Sequence, residues 1–352
     1  MNKTPHYVAL DGLRGLAAIA VVTLHYLDVL YSYRTHPISH GYLAVDFFFC
    51  LSGFVIGYAY DQRMKTMRLG RFFLNRLIRL HPLVVIGSLI GLIAYIADPF
   101  LDDPLASGWK AIFLALFMSL FMIPAPFLEY KKNLLFPYNT PTWSLFFEYF
   151  INVVYALLLC RITRRWLVVV GAISAAFLIY VVQDSGWYAG GWSMNNLWHG
   201  FARVSFSFAA GLLIFRFQMI WRHRTGFLMP CILLIAVFLS PHCKNDWAME
   251  LSLAMLVLPA ILCLGAGTNV SGITERLCKF LGRISYPLYM THVSTVFLLE
   301  HYYAKIKPAD GKIQFYMFVV AFFLIVFNLV FAYVIVRWVD EPLRKRLNKL
   351  FN

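Results

Sequence analysis

The sequence predicts an all-α fold: a polytopic transmembrane helical bundle of about ten full spans among ten or eleven hydrophobic segments, one of them re-entrant or interfacial. Three observations lead there. The 352 residues are 61% hydrophobic and only 14% charged, with a mean hydropathy of +0.68, outside the range of a soluble globular domain. Apolar runs recur at 10–31, 44–60, 81–97, 109–124, 141–160, 166–183, 198–217, 227–240, 250–266, 285–302 and 315–338, most of them near the ~20 residues a crossing needs. The basic residues, which give a net charge of +14, gather in the gaps between runs, as the positive-inside rule requires. That placement accounts for the charge and excludes nucleic acid as a partner.

The first run, 10–31, resembles a signal peptide in position but holds polar residues and lacks a small-residue cleavage site, so it is read as a retained membrane helix. The gap 61–80 carries Arg63, Lys65, Arg68, Arg71, Arg76 and Arg79 and is placed in the cytoplasm, which puts the N-terminus there too. The later basic gaps, Arg161 to Arg165, Arg216 to Arg224, Arg276 to Arg283 and the tail with Arg344, Lys345 and Arg346, are cytoplasmic by the same rule. They alternate correctly only if the 125–140 loop lies outside, so one of the two runs within 81–124 must fail to cross. Both termini are then cytoplasmic. No gap is long enough for a separate soluble domain, and 1–352 is read as a single membrane domain. The six cysteines lack C-x-x-C or metal-ligand spacing and read as small core residues; no metal site is expected.

Five polar blocks interrupt this apolar background. Arg14 and His25 lie in the first run, and ionisable groups at membrane depth are functional candidates by default. Eleven residues are about three helical turns, so the two share a face roughly 16 Å apart along the axis. Asp11 can cap the helix or pair with Arg14. Arg14 alone could snorkel to the surface, but His25 lies deeper. In the second block, Asp46 is either a helix cap or a site carboxylate, and Gly53 and Gly57 have the GxxxG spacing of close helix packing. In the third, Arg76 and Arg79 share a helical face suited to phosphates, although topology alone also demands basic residues there. In the fourth, Pro141 starts a helix that carries Trp143 and Ser144, with Glu148 about two turns in, where it could orient His25, accept a hydroxyl proton or pair with a buried cation. The last block brings Ser285, Tyr286 and His292 into one helix, with His292 at a depth approaching that of His25; a packing role for His292 is the alternative. The chain has no Walker-type loop, His-Glu-x-x-His helix or Gly-x-Ser-x-Gly elbow.

Taken together and in order, these blocks resemble the acyltransferase-3 family of integral-membrane O-acyltransferases. The matching elements are Asp-Gly-Leu-Arg-Gly followed by His25, Val-Asp-Phe-Phe-Phe with Leu-Ser-Gly-Phe, Arg76 and Arg79 with Pro82, Trp-Ser-Leu-x-x-Glu, and Ile-Ser-Tyr-Pro-Leu-Tyr-x-x-His, spread over about residues 7–340. The resemblance implies transfer of an acyl group, usually acetyl from acetyl-CoA, to a hydroxyl of an exopolysaccharide, O-antigen or lipid-linked sugar at a bacterial cytoplasmic membrane. It implies essential roles for Arg14 and His25 and links Arg76 and Arg79 to donor binding. Some relatives append an esterase-like domain, which is not expected here.

The mechanism expected from both readings places the CoA phosphates on Arg14 and the basic face, with Ser285 and Tyr286 beside them. His25 acts as general base or transient acyl carrier, and Glu148 or Asp46 orients it. Trp143 and His292 are expected on the acceptor side. The aromatics Trp187, Tyr188 and Trp192 offer faces to a sugar or form the interfacial belt. Partners expected are acyl-CoA, a carbohydrate or glycolipid acceptor, the lipid bilayer and polysaccharide-assembly proteins. The rival reading is a sugar or lipid transporter or flippase, which should show internal repeats; none is visible between 1–176 and 177–352. A catalytically dead scaffold is a third reading, opposed by the intact Arg14 and His25.

Overall fold

The computed structural model describes residues 7–31, 35–306 and 315–351. In chain order the helices are α1 (Val8–Leu30), α2 (Ala44–Tyr60), α3 (Leu69–Ile96), α4 (Gly108–Leu120), α5 (Thr142–Val154), α6 (Arg164–Ser185), α7 (Leu197–Arg216), α8 (Leu228–Phe238), α9 (Asp246–Ser252), α10 (Leu258–Gly267), α11 (Gly272–Thr291), α12 (Val293–Ile306), α13 (Phe315–Ile335) and α14 (Glu341–Phe351). Single π turns carry α5 onward to Leu159, join α9 to α10 and join α13 to α14. Among the described residues the only β feature is an isolated bridge between Leu134 and Ser193. The all-α expectation holds.

Eight helical rods among the described residues are long and apolar enough to cross a membrane. Two further expected crossings differ from that pattern for visible reasons. The 227–240 run forms only the 11-residue α8. The 285–302 run is split between the apolar end of α11 and α12, while α11 before Ile284 carries Glu275, Arg276, Lys279 and Arg283. Of the two runs within 81–124, α3 is among the eight and α4 is shorter. α4 has 13 residues, about 20 Å of helix. It starts beside Tyr95 near the end of α3, where the Tyr138 hydroxyl donates to the Ile112 carbonyl. It ends at Leu120. The chain then turns at Met122, where φ is +59°, and returns until Ala125 donates to the Leu135 carbonyl. Ile112, Ala115 and Ser119 of α4 are buried, whereas Trp109, Phe113, Leu114, Phe117, Phe121 and Ile123 are exposed.

Helix packing positions the site through small residues. A Cβ at Gly53 would collide with the Phe208 carbonyl, and one at Gly211 with the Cys50 carbonyl, so α2 and α7 approach backbone to backbone. α1 lies equally close on α11, since a Cβ at Gly15 would meet the Leu281 backbone. Large apolar side chains such as Phe322, Phe323, Phe327 and Ile93 face outward, the pattern of a protein whose solvent on that surface is lipid. All six cysteines are free; Cys50, Cys263 and Cys278 are buried, but Cys243 is exposed, so the core reading fails for that one.

Candidate functional site

Two cavities lie along α1. The first, about 250 Å³, is lined by five arginines, Arg14, Arg76, Arg79, Arg283 and Arg344, and by one acid, Glu148. Close packing of α1 on α11 lets Arg14 reach across rather than snorkel: its Nε donates to Ser285 Oγ at 2.9 Å and its guanidinium to the Gly282 carbonyl at 2.5 Å, with Asp11 at 3.2 Å. Arg76 and Arg79 are three apart on α3 and enter the same cavity. Buried Arg76 donates to Glu148 Oε1 at 2.7 Å, and the same oxygen accepts from Ser52 Oγ at 2.6 Å. Tyr286 donates to the Leu80 carbonyl at 2.6 Å. Arg283 is paired with Glu341 at 2.5 Å and Arg344 with Asp340. Arg79 sits in the fields of Arg76, Arg14, Arg344 and Glu148 and makes no ion pair among the described residues. Four of the five guanidiniums thus face an acid, Asp11, Glu148, Glu341 or Asp340, and Arg79 is left as the unpaired cation of a cavity whose planar forks suit phosphate.

The second cavity, about 440 Å³, is lined by His25, Asp28, His36, Trp143, Trp187, Trp192, Lys131, Arg203 and Glu300. The His25 ring stacks on His292 with centroids 5.4 Å apart and planes 17° from parallel. The His292 Nδ1–H faces the carbonyls of Leu288 and Tyr289 at 3.1 and 3.0 Å, which leaves Nε2 as a lone pair, buried with no hydrogen-bond partner. The His25 side chain keeps 38% of its surface accessible, whereas His292 is fully buried. Of the two rings, only His25 can meet a substrate. Asp28 lies 3.9 Å from His25 Nδ1 and 3.0 Å from His36 Nε2, so one carboxylate serves both imidazoles. The cavities share a wall: Val45 and Tyr289 line both, and the Tyr289 hydroxyl is held 2.9 Å from Ser144 Oγ.

A family model described as an acyltransferase domain matches residues 7–337. The chain belongs to the acyltransferase-3 family. Similar proteins include "Protein 2 in picA locus" of Rhizobium radiobacter, 36% identical over 52% of this chain and 100% of that protein. A Staphylococcus aureus (strain COL) protein named "putative O-acetyltransferase" is 24% identical over 100% of this chain and 61% of its own length. The "putative peptidoglycan O-acetyltransferase YrhL" of Bacillus subtilis is 23% identical over 84% of this chain and 50% of its own length. The chain thus spans between half and two thirds of those two relatives. No solved structure matches it.

In this acyltransferase-3 chain the residues expected at the donor end, Arg14, Arg76, Arg79, Ser285 and Tyr286, converge on one cavity. His25 and Trp143 line the other, with His292 behind His25. Neither acid expected to orient His25 stands beside it. Glu148 belongs to the arginine cavity with Arg76 and Ser52. Asp46 neither caps α2, whose first turn has no side-chain cap, nor lines either cavity. It is gripped by Arg203 at 3.1 and 2.7 Å and accepts from Tyr188 at 2.7 Å. The acid near His25 is Asp28, three residues on in the same helix. Sequence reasoning also passed over Arg203, fully buried in α7 with its guanidinium 5.4 Å from the Trp143 ring. The signal was available: a charge inside the 198–217 run, the same signal that marks Arg14.

Proposed function

We propose that the chain is an O-acetyltransferase that takes acetyl from acetyl-CoA on the cytoplasmic side of a bacterial cytoplasmic membrane and delivers it to a carbohydrate hydroxyl on the other side. The acceptor is a cell-envelope or exported glycan or a lipid-linked sugar, and both termini are cytoplasmic. The observation that supports this reading is the pair of abutting cavities, one lined by arginines and the other holding an accessible histidine and three tryptophans, with Val45 and Tyr289 common to both. Basic gaps flank the arginine cavity, which suits the cytoplasmic side.

The residues fit the donor. Arg79, with Arg14 and Arg76, binds the phosphates; the arm that follows lies along Ser144, Tyr286 and Tyr289, which line the same cavity. The donor supplies a thioester carbonyl already activated for attack. His25 takes the proton from the acceptor hydroxyl as that oxygen bonds to the acetyl carbon. The carbon–sulfur bond then breaks and the proton passes to the leaving thiolate. General base catalysis of this kind contributes about 10²–10⁴-fold. His292 stacks against His25 and, with Asp28, fixes the ring. Trp143, Trp187 and Trp192 offer apolar faces to the sugar.

The test is transfer of radiolabelled acetyl from acetyl-CoA to envelope glycan in membranes holding wild type or His25→Ala at matched expression. Label that appears with wild type and vanishes with the variant supports the reading. No label with wild type, with donor and acceptor supplied, overturns it and favours transport of a sugar or lipid.

A further inference from the structure

Away from both cavities, the turn between α8 and α9 folds His242 and Asp246 onto His40, just ahead of the 3-10 turn Gly41–Leu43 that leads into α2. One ligand-type atom from each of His40, His242 and Asp246 lies within 4.8 Å of the others, and the two imidazole rings are 4.5 Å apart. We propose that these three side chains form a zinc site that ties the α8–α9 turn to the α1–α2 junction.

The surroundings are those of a prepared metal site. His40 is fully buried, and its Nδ1–H is directed at the Ser240 carbonyl at 2.8 Å, which fixes the tautomer with the lone pair on Nε2. Metal-bound histidines are oriented by just such a carbonyl or carboxylate partner. On His242, Nδ1 is 2.7 Å from Asp246 Oδ2, a contact that an ion shared by these two atoms replaces. The Asp246 carboxylate is itself held, since Oδ1 accepts from the Cys243 backbone at 2.5 Å. A second carboxylate, Glu250, is fully buried 3.6 Å from His40 Nε2 and accepts from the Tyr42 hydroxyl.

Two imidazoles and a carboxylate favour zinc among abundant divalent ions; magnesium and calcium prefer all-oxygen shells. Tetrahedral zinc with bonds of about 2.1 Å holds its ligands about 3.4 Å apart, so no pair has to close by more than about 1.4 Å, within reach of side-chain rotation. The site has a link to the histidine cavity: Tyr42, which binds Glu250, is part of that cavity's wall. Zinc then stiffens one wall of the cavity without touching a reacting atom.

The experiment uses the full chain in detergent with no affinity tag, stripped with chelator and titrated with Co²⁺ and then Zn²⁺. Wild type is expected to bind one equivalent, to give the intense visible absorption of tetrahedral Co²⁺, to lose that absorption when zinc is added, and to melt at a higher temperature when loaded. His242→Gln and Asp246→Asn should each weaken binding by about 100-fold or more and abolish the melting shift. A wild type that holds less than about a tenth of an equivalent, or shows only the weak spectrum of octahedral Co²⁺, overturns the proposal. So do variants that bind as wild type does. If a variant fails to fold, the wild-type cobalt spectrum decides alone.

Discussion

The arginine cavity and the histidine cavity are built by the same helices and share Val45 and Tyr289, yet their charges are organised in opposite ways. In the first, Arg14, Arg76, Arg283 and Arg344 are each tied to an acid, a hydroxyl or a carbonyl, so the guanidiniums are fixed in place before any ligand arrives and Arg79 is left to meet it. In the second, the one buried cation, Arg203, is neutralised by Asp46, and the accessible group is an imidazole leaning on another imidazole. Under the proposed function the first surface would hold the anionic donor by preorganised charge, and the second would hold the neutral acceptor by apolar faces and take its proton.

Substitutions can break this division of labour. The largest effect is expected at His25. His25→Ala should lower the transfer rate by about 10²–10⁴-fold, while His292→Gln, behind it, should lose less; equal losses, measured at matched expression, would contradict the division between a reacting ring and a supporting one. Next is Asp46. Removing its charge strands the buried Arg203 guanidinium, and breaking such a pair costs about 3–5 kcal/mol. Asp46→Asn should therefore show a clear drop in thermal stability, and a fully stable but inactive variant would return Asp46 to the site. Arg79→Ala should raise the KM for acetyl-CoA by about 10-fold, the scale of one lost charge-assisted contact, and leave the acceptor KM unchanged. The reverse pattern would exchange the roles of the cavities. The smallest effect is expected at Trp192, where replacement by Ala should raise the acceptor KM by about 2–10-fold, the scale of a single aromatic contact.

Much of this was legible in the sequence because membranes make polar residues conspicuous. Arg14, His25, Arg76, Arg79 and Glu148 stand out against an apolar background, and of the two runs within 81–124 the second forms a helix, α4, of only 13 residues. What the sequence does not contain is partner choice. Glu148 could have met His25 or Arg76; the register of α5 on α3 gives it to Arg76. Asp46 could have faced the site; backbone contact of α2 on α7 delivers it to Arg203 instead. Arg344 read as a topology signal in the tail, yet α14, which continues α13 through a π turn, brings it into the arginine cavity. Asp28, three residues after His25 in the same helix, was passed over although i,i+3 spacing puts the two on one face.

The central claim is that donor and acceptor meet from opposite sides of the membrane. Its most direct test is purified protein in sealed vesicles, with its orientation fixed by protease mapping of the tail, labelled acetyl-CoA on one side and a membrane-impermeant glycan on the other. The account predicts labelled glycan only when acetyl-CoA is on the side of the arginine cavity and glycan on the side of the histidine cavity, and none with His25→Ala. Label that forms only when both substrates share one side would contradict it.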